Sequence, residues 1–205
     1  MTTSGTPESR VVVTDSVFDN VAGDVIENYN LSTSGAHQSL ALRNVYAHHS
    51  TFPGAVLNSL VPANLGTCVV TTNFGRAAHT DLTIADSDLG DCSADGIGLI
   101  AYTPAGSEPS TAELTFDIHD TVLGASAANG ISIRNVGDTA VLRGSIARTS
   151  ITAARESLLR ASSSGGEIGS AALALSDLTL DGVASTCDAV QHDGRVDLSG
   201  IPAAC

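Results

Sequence analysis

The chain is built from a cassette of apolar and polar positions that recurs about every 30 residues. In each cassette a short apolar run ends at a polar residue, and a second run follows about eight residues after its last apolar position. The pattern is clearest in residues 82–89 (LTIADSDL) with 95–99 (DGIGL), and in residues 118–123 (IHDTVL) with 129–133 (NGISI). The same frame fits residues 13–18 with 25–26, 42–47 with 55–57, 146–151 with 158–159, and 175–180 with 189–190. A fixed period of this length indicates stacked supersecondary units, because one unit cannot bury its apolar face alone.

The polar residue at the first turn of each cassette serves as its marker. The markers are Asp15, Asn44, Asp86, Asp120, Arg148 and Asp177, with successive spacings of 29, 42, 34, 28 and 29 residues. Near-constant spacings with a single long one are expected of a coiled sheet that carries one large loop. We therefore predict a long loop at about residues 59–75, a stretch that also contains a β-like run of its own at residues 68–72 (CVVTT).

The runs have the composition of strands. They are short, rich in Val, Ile, Leu and Thr, and bounded by Gly, Asn, Asp and Ser. Residues 151–162 contain good helix formers, but they fill the turn and second-strand slots of their cassette, so we predict a strand there. A β-sandwich with hairpins at Asp95-Gly96 and Asn129-Gly130 is the main rival architecture. Because small or turn-like residues precede both dipeptides, we expect them to lead the chain from one sheet into the next.

From about residue 10 to residue 200 the chain resembles the right-handed parallel β-helix proteins of the pectate-lyase-like superfamily. Their coils carry the pattern apolar-x-apolar-x-Asp/Asn-Ser/Val-x-apolar followed by Gly-Ile-x-apolar. Residues 82–99 match it, and residues 118–133 follow it from the second apolar position with Thr121 in place of Ser or Val. The resemblance implies an all-β fold, a single-stranded right-handed parallel β-helix (solenoid) of about six to seven coils. We expect a polar leader or linker at residues 1–10, a β-helix domain at residues 11–205, and a C-terminal capping tail at about residues 200–205.

Composition narrows the partners. The chain has 22 acidic and 9 basic residues, a net charge of −13, and no Lys. Such a surface repels nucleic acid and anionic membranes, and it disfavours acidic polysaccharides unless cations bridge the two partners. No run approaches the roughly 20 apolar residues that span a bilayer. Residues 1–10 lack a signal-peptide pattern, so we expect a piece of a longer chain, although a short leader on a complete cytoplasmic protein remains an alternative.

Four cysteines allow three disulfide connectivities. Cys187 and Cys205 are placed so that the C-terminal tail folds back over the last coil and is fixed there. Cys68 lies in the long loop and Cys92 in the turn of the next cassette, so a second bridge would hold that loop down. The alternative is four small buried residues in a reduced protein. Turn and terminal positions favour disulfides, and therefore an extracellular or cell-surface location.

The densest group of carboxylates lies in the third cassette. Asp86 and Asp88 alternate along an extended segment, and Asp91 and Asp95 join them around the following turn. Carboxylate oxygens are the hard ligands that calcium prefers, so these four residues are a candidate calcium site. The segment lacks the spacing of an EF-hand loop and the glycine-rich repeat of calcium-binding β-rolls. In the alternative interpretation, these side chains satisfy backbone N–H groups within turns and stack between coils.

The best acid/base group is His119 with Asp117 and Asp120, which lies near Asp86 and Asp88 if adjacent cassettes stack in register. Proton abstraction and glycosidic cleavage both need two titratable groups with separated pKa values, so these five residues are the candidate catalytic set. The alternative is an ordinary row of solvent-facing strand residues. The other histidines receive no catalytic role: His48 and His49 are interpreted as turn residues that a turn could also bring together on a metal, and His37, His79 and His192 stand alone.

Several functions are therefore open. The expectation is a secreted or surface β-helix module, a non-catalytic scaffold or a carbohydrate-interacting domain of a larger protein. The first alternative is a polysaccharide lyase or glycoside hydrolase that uses the Asp/His patch, although the family hydrolase motifs Asn-Thr-Asp, Gly-His-Gly and Arg-Ile-Lys are absent. The second is a structural assembly unit, because the ends and edges of a β-helix can associate unless they are capped.

Overall fold

The computed structural model describes residues 7–31, 35–52, 66–74, 77–103, 111–164, 170–180 and 189–200. These residues form an all-β structure. The strands are β1 (Glu8–Asp19), β2 (Ile26–Asn30), β3 (His37–His48), β4 (Val69–Phe74), β5 (His79–Ala85), β6 (Asp88–Gly90), β7 (Ile97–Tyr102), β8 (Glu113–His119), β9 (Val122–Leu123), β10 (Ile131–Val136), β11 (Val141–Ala147), β12 (Ser150–Ile151), β13 (Leu159–Ser163), β14 (Ser170–Ser176), β15 (Thr179–Leu180), β16 (Val190–Gly194) and β17 (Val196–Ser199). Among the described residues, no helix is long and apolar enough to cross a membrane.

The strands form two sheets in which every neighbouring pair is parallel. The first sheet has the order β15-β12-β9-β6-β3-β5-β8-β11-β14-β17, with β1 also paired to β3, and the second has the order β16-β13-β10-β7-β4-β2. Each repeat contributes one or two strands to the first sheet and then a strand to the second sheet. Neighbours in a sheet are therefore equivalent strands of successive repeats. This topology is compatible with a parallel β-helix and leaves no antiparallel hairpin at Asp95-Gly96 or Asn129-Gly130.

The cassettes stack in register. Val11 of β1 pairs with Leu40 of β3, and Leu40 pairs with Leu82 of β5. The six cassette markers share a left-handed backbone conformation: Asp15, Asn44, Asp86, Asp120, Arg148 and Asp177 have φ between 46° and 51°. Asp and Asn tolerate this region better than most residues, which explains why they recur at the marker position. The predicted parallel pairing of the cassettes is confirmed.

The core is narrow and aliphatic, and it lies inside the stacked sheets. Alternate residues of β5 and β8 point inward, so that Leu82, Ile84 and Ile118 are at most 1% exposed, whereas the residues between them face outward. In the second sheet, Leu99 and Ile133 are fully buried on the opposite wall. This period-2 pattern is what a strand with one buried face requires.

Buried asparagines connect the second sheet to the first. Asn30, Asn73 and Asn135 occupy equivalent positions at or near the ends of β2, β4 and β10 and are at most 5% exposed. The side-chain amide of Asn30 donates to the carbonyl of His79 (3.0 Å), and that of Asn73 donates to the carbonyl of Glu113 (2.6 Å). A buried polar group that is satisfied in this way fixes the backbone around it. The asparagines therefore fix where β5 and β8 begin.

Cys68 and Cys92 form a disulfide across 24 residues. The bond joins the residue before β4 to the turn after β6, and both side chains are buried. This predicted bridge is confirmed. The other predicted pair, Cys187 with Cys205, lies outside the described residues.

The observed strand bounds can be compared with the ranges predicted for the leader, the long loop, the tail and residues 151–162. β1 begins at Glu8, within the range predicted as leader, and β4 (Val69–Phe74) lies within the predicted loop and takes the place between β2 and β7 in the second sheet. The run predicted for that place, residues 55–57, lies outside the described residues, as does the tail at 201–205. Residues 151–162 contain no helix and lead into β13, so the strand prediction is confirmed.

Candidate functional site

Three clusters of histidine and carboxylate side chains lie on the outer surface of the first sheet. In-register stacking creates them, because a residue on one strand lies beside the equivalent residue of the next repeat, about 4.8 Å away. We name them the His119 cluster, the His48 cluster and the His37 cluster after one histidine in each.

The His119 cluster contains Asp117, His119, Asp120, Ser145 and Arg148. The Nδ1 atom of His119 lies 2.8 Å from Oδ2 of Asp120, and its Nε2 atom lies 3.8 Å from Oδ2 of Asp117. Arg148 donates to both oxygens of Asp120, from Nε and Nη2, at 2.7 Å each. The Ser145 hydroxyl donates to Asp117 at 2.7 Å. Arg148 and Asp120 meet because both occupy the marker position of successive repeats.

The ion pair between Arg148 and Asp120 shifts the pKa values of both residues. The hydrogen bonds from Arg148, and then that from His119, hold the pKa of Asp120 well below its usual range, and Asp120 in turn raises the pKa of Arg148. A general acid needs a pKa near the operating pH. These contacts favour the ionised form of Asp120, and its carboxylate holds both Arg148 and His119.

Asp86 and Asp88 lie one repeat away from the His119 cluster, as the stacking predicted. Ala85 pairs with His119, and the backbone N–H of Asp86 donates to the carbonyl of His119 at 3.3 Å. Asp88 pairs with Val122, but its side chain contacts a histidine in the preceding repeat instead. The five predicted catalytic residues thus share one surface, but Asp88 belongs to a second cluster and the side chain of Asp86 belongs to neither.

That second group, the His48 cluster, contains Asp19, His48, His49, Asp88 and Asp91. His48 contacts Asp88 through Nε2 (3.0 Å) and Asp91 through Nδ1 (3.3 Å). His49 contacts Asp19 through Nδ1 (2.6 Å) and Asp91 through Nε2 (3.5 Å), and its hydrogen bond with Asp19 raises its pKa. Adjacent strand side chains diverge, but the left-handed backbone of His49 (φ 55°) turns its ring toward Asp91. The turn brings both histidines to one carboxylate.

The four predicted calcium ligands do not all share the same partners in this structure. Asp88 and Asp91 share His48, whereas Asp95 accepts two hydrogen bonds of 2.9 Å from the backbone and side chain of Asn129 in the next repeat. Burial raises the pKa of Asp95, and the bonds from Asn129 oppose that shift. Asp86 is the marker residue at the first turn of its repeat. Calcium binding by this set stays a prediction.

The prediction that His37 and His79 stand alone is wrong, because both belong to the His37 cluster. Nε2 of His37 lies 2.7 Å from Oδ2 of Asp81, and Nε2 of His79 lies 3.0 Å from Oδ1 of the same carboxylate. The rings of His37 and His79 meet edge to face, with centroids 4.7 Å apart. Nδ1 of His79 lies 3.4 Å from Oε2 of Glu113. Thr115 also donates to Asp81.

The environment of Asp81 keeps it ionised. Burial by itself would raise the pKa of Asp81, but hydrogen bonds from Thr115, His37 and His79 outweigh burial and lower the pKa. The Glu113 carboxylate is held from its other side by Arg143, whose Nη2 lies 3.0 Å from Oε1. The two imidazoles and the Asp81 carboxylate offer ligand atoms that all lie within 4.8 Å of one another, an arrangement that can hold a metal ion.

The cassette register would have revealed this cluster. His37, His79 and Glu113 each stand seven residues before their markers, Asn44, Asp86 and Asp120. The structure pairs His37 with His79 and His79 with Glu113 accordingly. Equal offsets from aligned markers therefore predict which distant side chains become neighbours.

An open depression of about 280 Å³ lies at the marker turns of the first three repeats, next to Asp88 of the His48 cluster. The residues that line it include Asp15, Asn44, Tyr46, Asp86 and Asp88. Asn44 donates to Asp15 at 2.6 Å. The Tyr46 side chain reaches solvent and stacks on the His48 ring at a centroid distance of 4.1 Å.

Comparison of the chain with protein-family models, with curated proteins and with solved structures found no match.

Proposed function

We propose that this chain is a right-handed parallel β-helix of about six to seven coils, with the architecture of the pectate-lyase-like superfamily, and that it is a secreted or cell-surface module that binds carbohydrate without cleaving it. The observation that carries the proposal is the depression beside Tyr46. It combines an accessible aromatic ring with several hydrogen-bonding side chains on a rigid stack of strands. The Cys68–Cys92 disulfide favours an oxidising compartment.

The chemistry of the depression suits a neutral sugar. An aromatic ring packs against the apolar face of a sugar ring. Carboxylates accept hydrogen bonds from the sugar hydroxyls, and an amide group both donates to them and accepts from them. Tyr46 is held in place by its stacking on His48, which limits the entropy lost when a ligand binds. Three carboxylates line the same surface, and the chain carries a net charge of −13, so an anionic glycan would be repelled.

Binding without cleavage is favoured over a lyase or hydrolase by the state of Asp120. Asp120 forms a bidentate ion pair with Arg148, which lowers the pKa of Asp120, and His119 contacts the same carboxylate. Asp88 is likewise engaged with His48. A glycosidase needs one carboxyl group with a raised pKa and a second that is ionised, and these contacts offer no such contrast.

Glycan binding by variants of Tyr46 tests this proposal. Wild-type protein is screened against neutral and acidic glycans by affinity electrophoresis, with an assay for new reducing or unsaturated ends in the same samples. Tyr46→Ala should weaken binding of the neutral ligand by about tenfold, or about 1.4 kcal/mol. Tyr46→Phe should retain it, because the ring remains.

Val122→Ala is the matched control, because Val122 is an exposed residue in the repeat that follows Asp88 on the same surface. Its binding should equal that of wild type. Equal binding by Tyr46→Ala and wild type would contradict the proposed site. New chain ends that scale with protein concentration would instead favour the enzyme alternative.

A further inference from the structure

The His37 cluster stands apart from the surface assigned to carbohydrate, and its ligand atoms converge. Among the described residues, His37, His79 and Asp81 are the one group of three metal-ligating side chains whose ligand atoms all lie within 4.8 Å of one another. We propose that these three residues bind a divalent transition-metal ion, with Zn²⁺ as the ion that best fits the ligand set. The site takes an imidazole from each of two strands, β3 and β5, and a carboxylate from β5.

The distances fit a small four-coordinate ion. Bonds of about 2.0–2.1 Å to nitrogen and oxygen in a tetrahedral site place neighbouring ligand atoms roughly 3.3 Å apart. The two imidazole nitrogens now lie 2.7 and 3.0 Å from the Asp81 oxygens, so a metal replaces shared protons with only a small outward movement. All three side chains are 36–42% exposed, which leaves a path for the ion and a fourth position for water.

The surrounding residues have the arrangement that supports a metal-binding histidine. Metal-ligating histidines usually donate their other ring N–H to a carboxylate or carbonyl. Nδ1 of His79 faces Oε2 of Glu113 at 3.4 Å, and Glu113 is itself anchored by Arg143 at 3.0 Å. A proton on Nδ1 leaves the Nε2 lone pair of His79 free for the ion. Thr115 orients the Asp81 carboxylate in the same way.

The backbone places the ligands before any ion arrives. β3, β5 and β8 are paired in continuous register through His37, His79 and Glu113. The buried amides of Asn30 and Asn73 hold the carbonyls of His79 and Glu113, at the start of β5 and β8. Ligands on rigid strands lose little freedom on binding.

The ligand types select the class of ion. Imidazole nitrogen suits Zn²⁺, Cu²⁺ and Ni²⁺, whereas Ca²⁺ takes six to eight oxygen ligands. The His37 cluster offers two nitrogens and one carboxylate on an exposed surface. It should therefore discriminate against Ca²⁺, which distinguishes it from the calcium site predicted at Asp86–Asp95.

Isothermal titration of the full chain, prepared without a histidine tag, tests this site with Zn²⁺ and Ca²⁺ as probes. Wild type should bind one Zn²⁺ at this site, and Ca²⁺ should give no heat from it. His79→Ala should weaken this Zn²⁺ binding by more than about a hundredfold, and Glu113→Gln, which removes the negative charge that faces Nδ1 of His79, should weaken it by about 10- to 100-fold. His37→Ala, on a different strand, should repeat the result of His79→Ala.

His48→Ala is the matched control, since it removes a histidine that contacts two carboxylates in the neighbouring cluster. Its Zn²⁺ affinity should equal that of wild type, and melting curves without metal confirm that each variant folds. The proposal is overturned if wild type shows no saturable Zn²⁺ binding. It is also overturned if folded His79→Ala and His37→Ala bind as wild type does, or if His48→Ala abolishes binding.

Discussion

Ile84→Ala should lower the free energy of unfolding by about 2–5 kcal/mol, because it removes a fully buried side chain and leaves a cavity in a narrow core. Thr83→Ala, on the same strand, should lower the free energy of unfolding by less than about 1 kcal/mol. Thr83 faces outward, so the substitution removes only a residue that favours strands and a few side-chain contacts. The contrast between adjacent residues follows from the period-2 alternation of β5.

Urea unfolding monitored by far-ultraviolet circular dichroism measures both variants against wild type. If the unfolding free energy falls with urea concentration at the same slope in both variants and wild type, a shifted midpoint reports a change in stability rather than a change in the unfolded state. If Thr83→Ala were as costly as Ile84→Ala, the inward and outward faces of β5 would be assigned wrongly, and the outer clusters would lose their basis.

Replacing both members of the disulfide, in Cys68→Ala/Cys92→Ala, should lower the free energy of unfolding by about 3.5 kcal/mol. The bond closes a loop across 24 residues, and in the chain-entropy model a loop of this size restricts the unfolded chain by that amount. The loop contains β4, β5 and β6, so the cross-link holds the residue before a second-sheet strand against the first-sheet turn that follows it.

Cys92→Ala alone should match the double variant, because either change breaks the same bond. The measurement is again the urea midpoint, with protein produced in an oxidising compartment. Peptide mapping under non-reducing conditions should recover residues 68 and 92 in one linked pair, and free thiols at both positions would contradict the bridge.

The repeat is the part of the fold that the sequence reveals most directly. The apolar and polar pattern of the cassettes identifies Asp86 and Asp120 as markers, and both adopt the left-handed turn that Asp favours. Arg148 occupies the same turn without that preference, because the stacked Asp120 carboxylate holds its guanidinium. The cassette pattern predicts the strand between β2 and β7 at residues 55–57, but β4 takes that place. The long spacing before Asp86 contains two apolar runs, and the local pattern does not show which of them joins the sheet.

The candidate site was harder to predict, since its contacts join residues far apart in sequence. The closeness of Asp117, His119 and Asp120 follows from their positions on one strand. His37 and His79 looked isolated because 42 residues separate them, and only the alignment of their cassettes makes them neighbours. Asp95 was grouped with Asp91 by proximity in the chain, yet the stacked turn pairs it with Asn129. Charge and composition carry no information about such cross-repeat partners.

In-register parallel stacking of the repeats is the central claim, and an engineered cross-link tests it most directly. Thr83 and Asp117 are paired positions on the outer faces of β5 and β8, so their Cα atoms lie about 4.8 Å apart, within the range that a disulfide spans. Thr83→Cys/Asp117→Cys should therefore oxidise to an intramolecular bond, identified by peptide mapping in dilute solution. Thr83→Cys/Ser145→Cys should not, because Ser145 lies one strand beyond Asp117. A bond between positions 83 and 145, or none between 83 and 117, would contradict the register on which every proposed site depends.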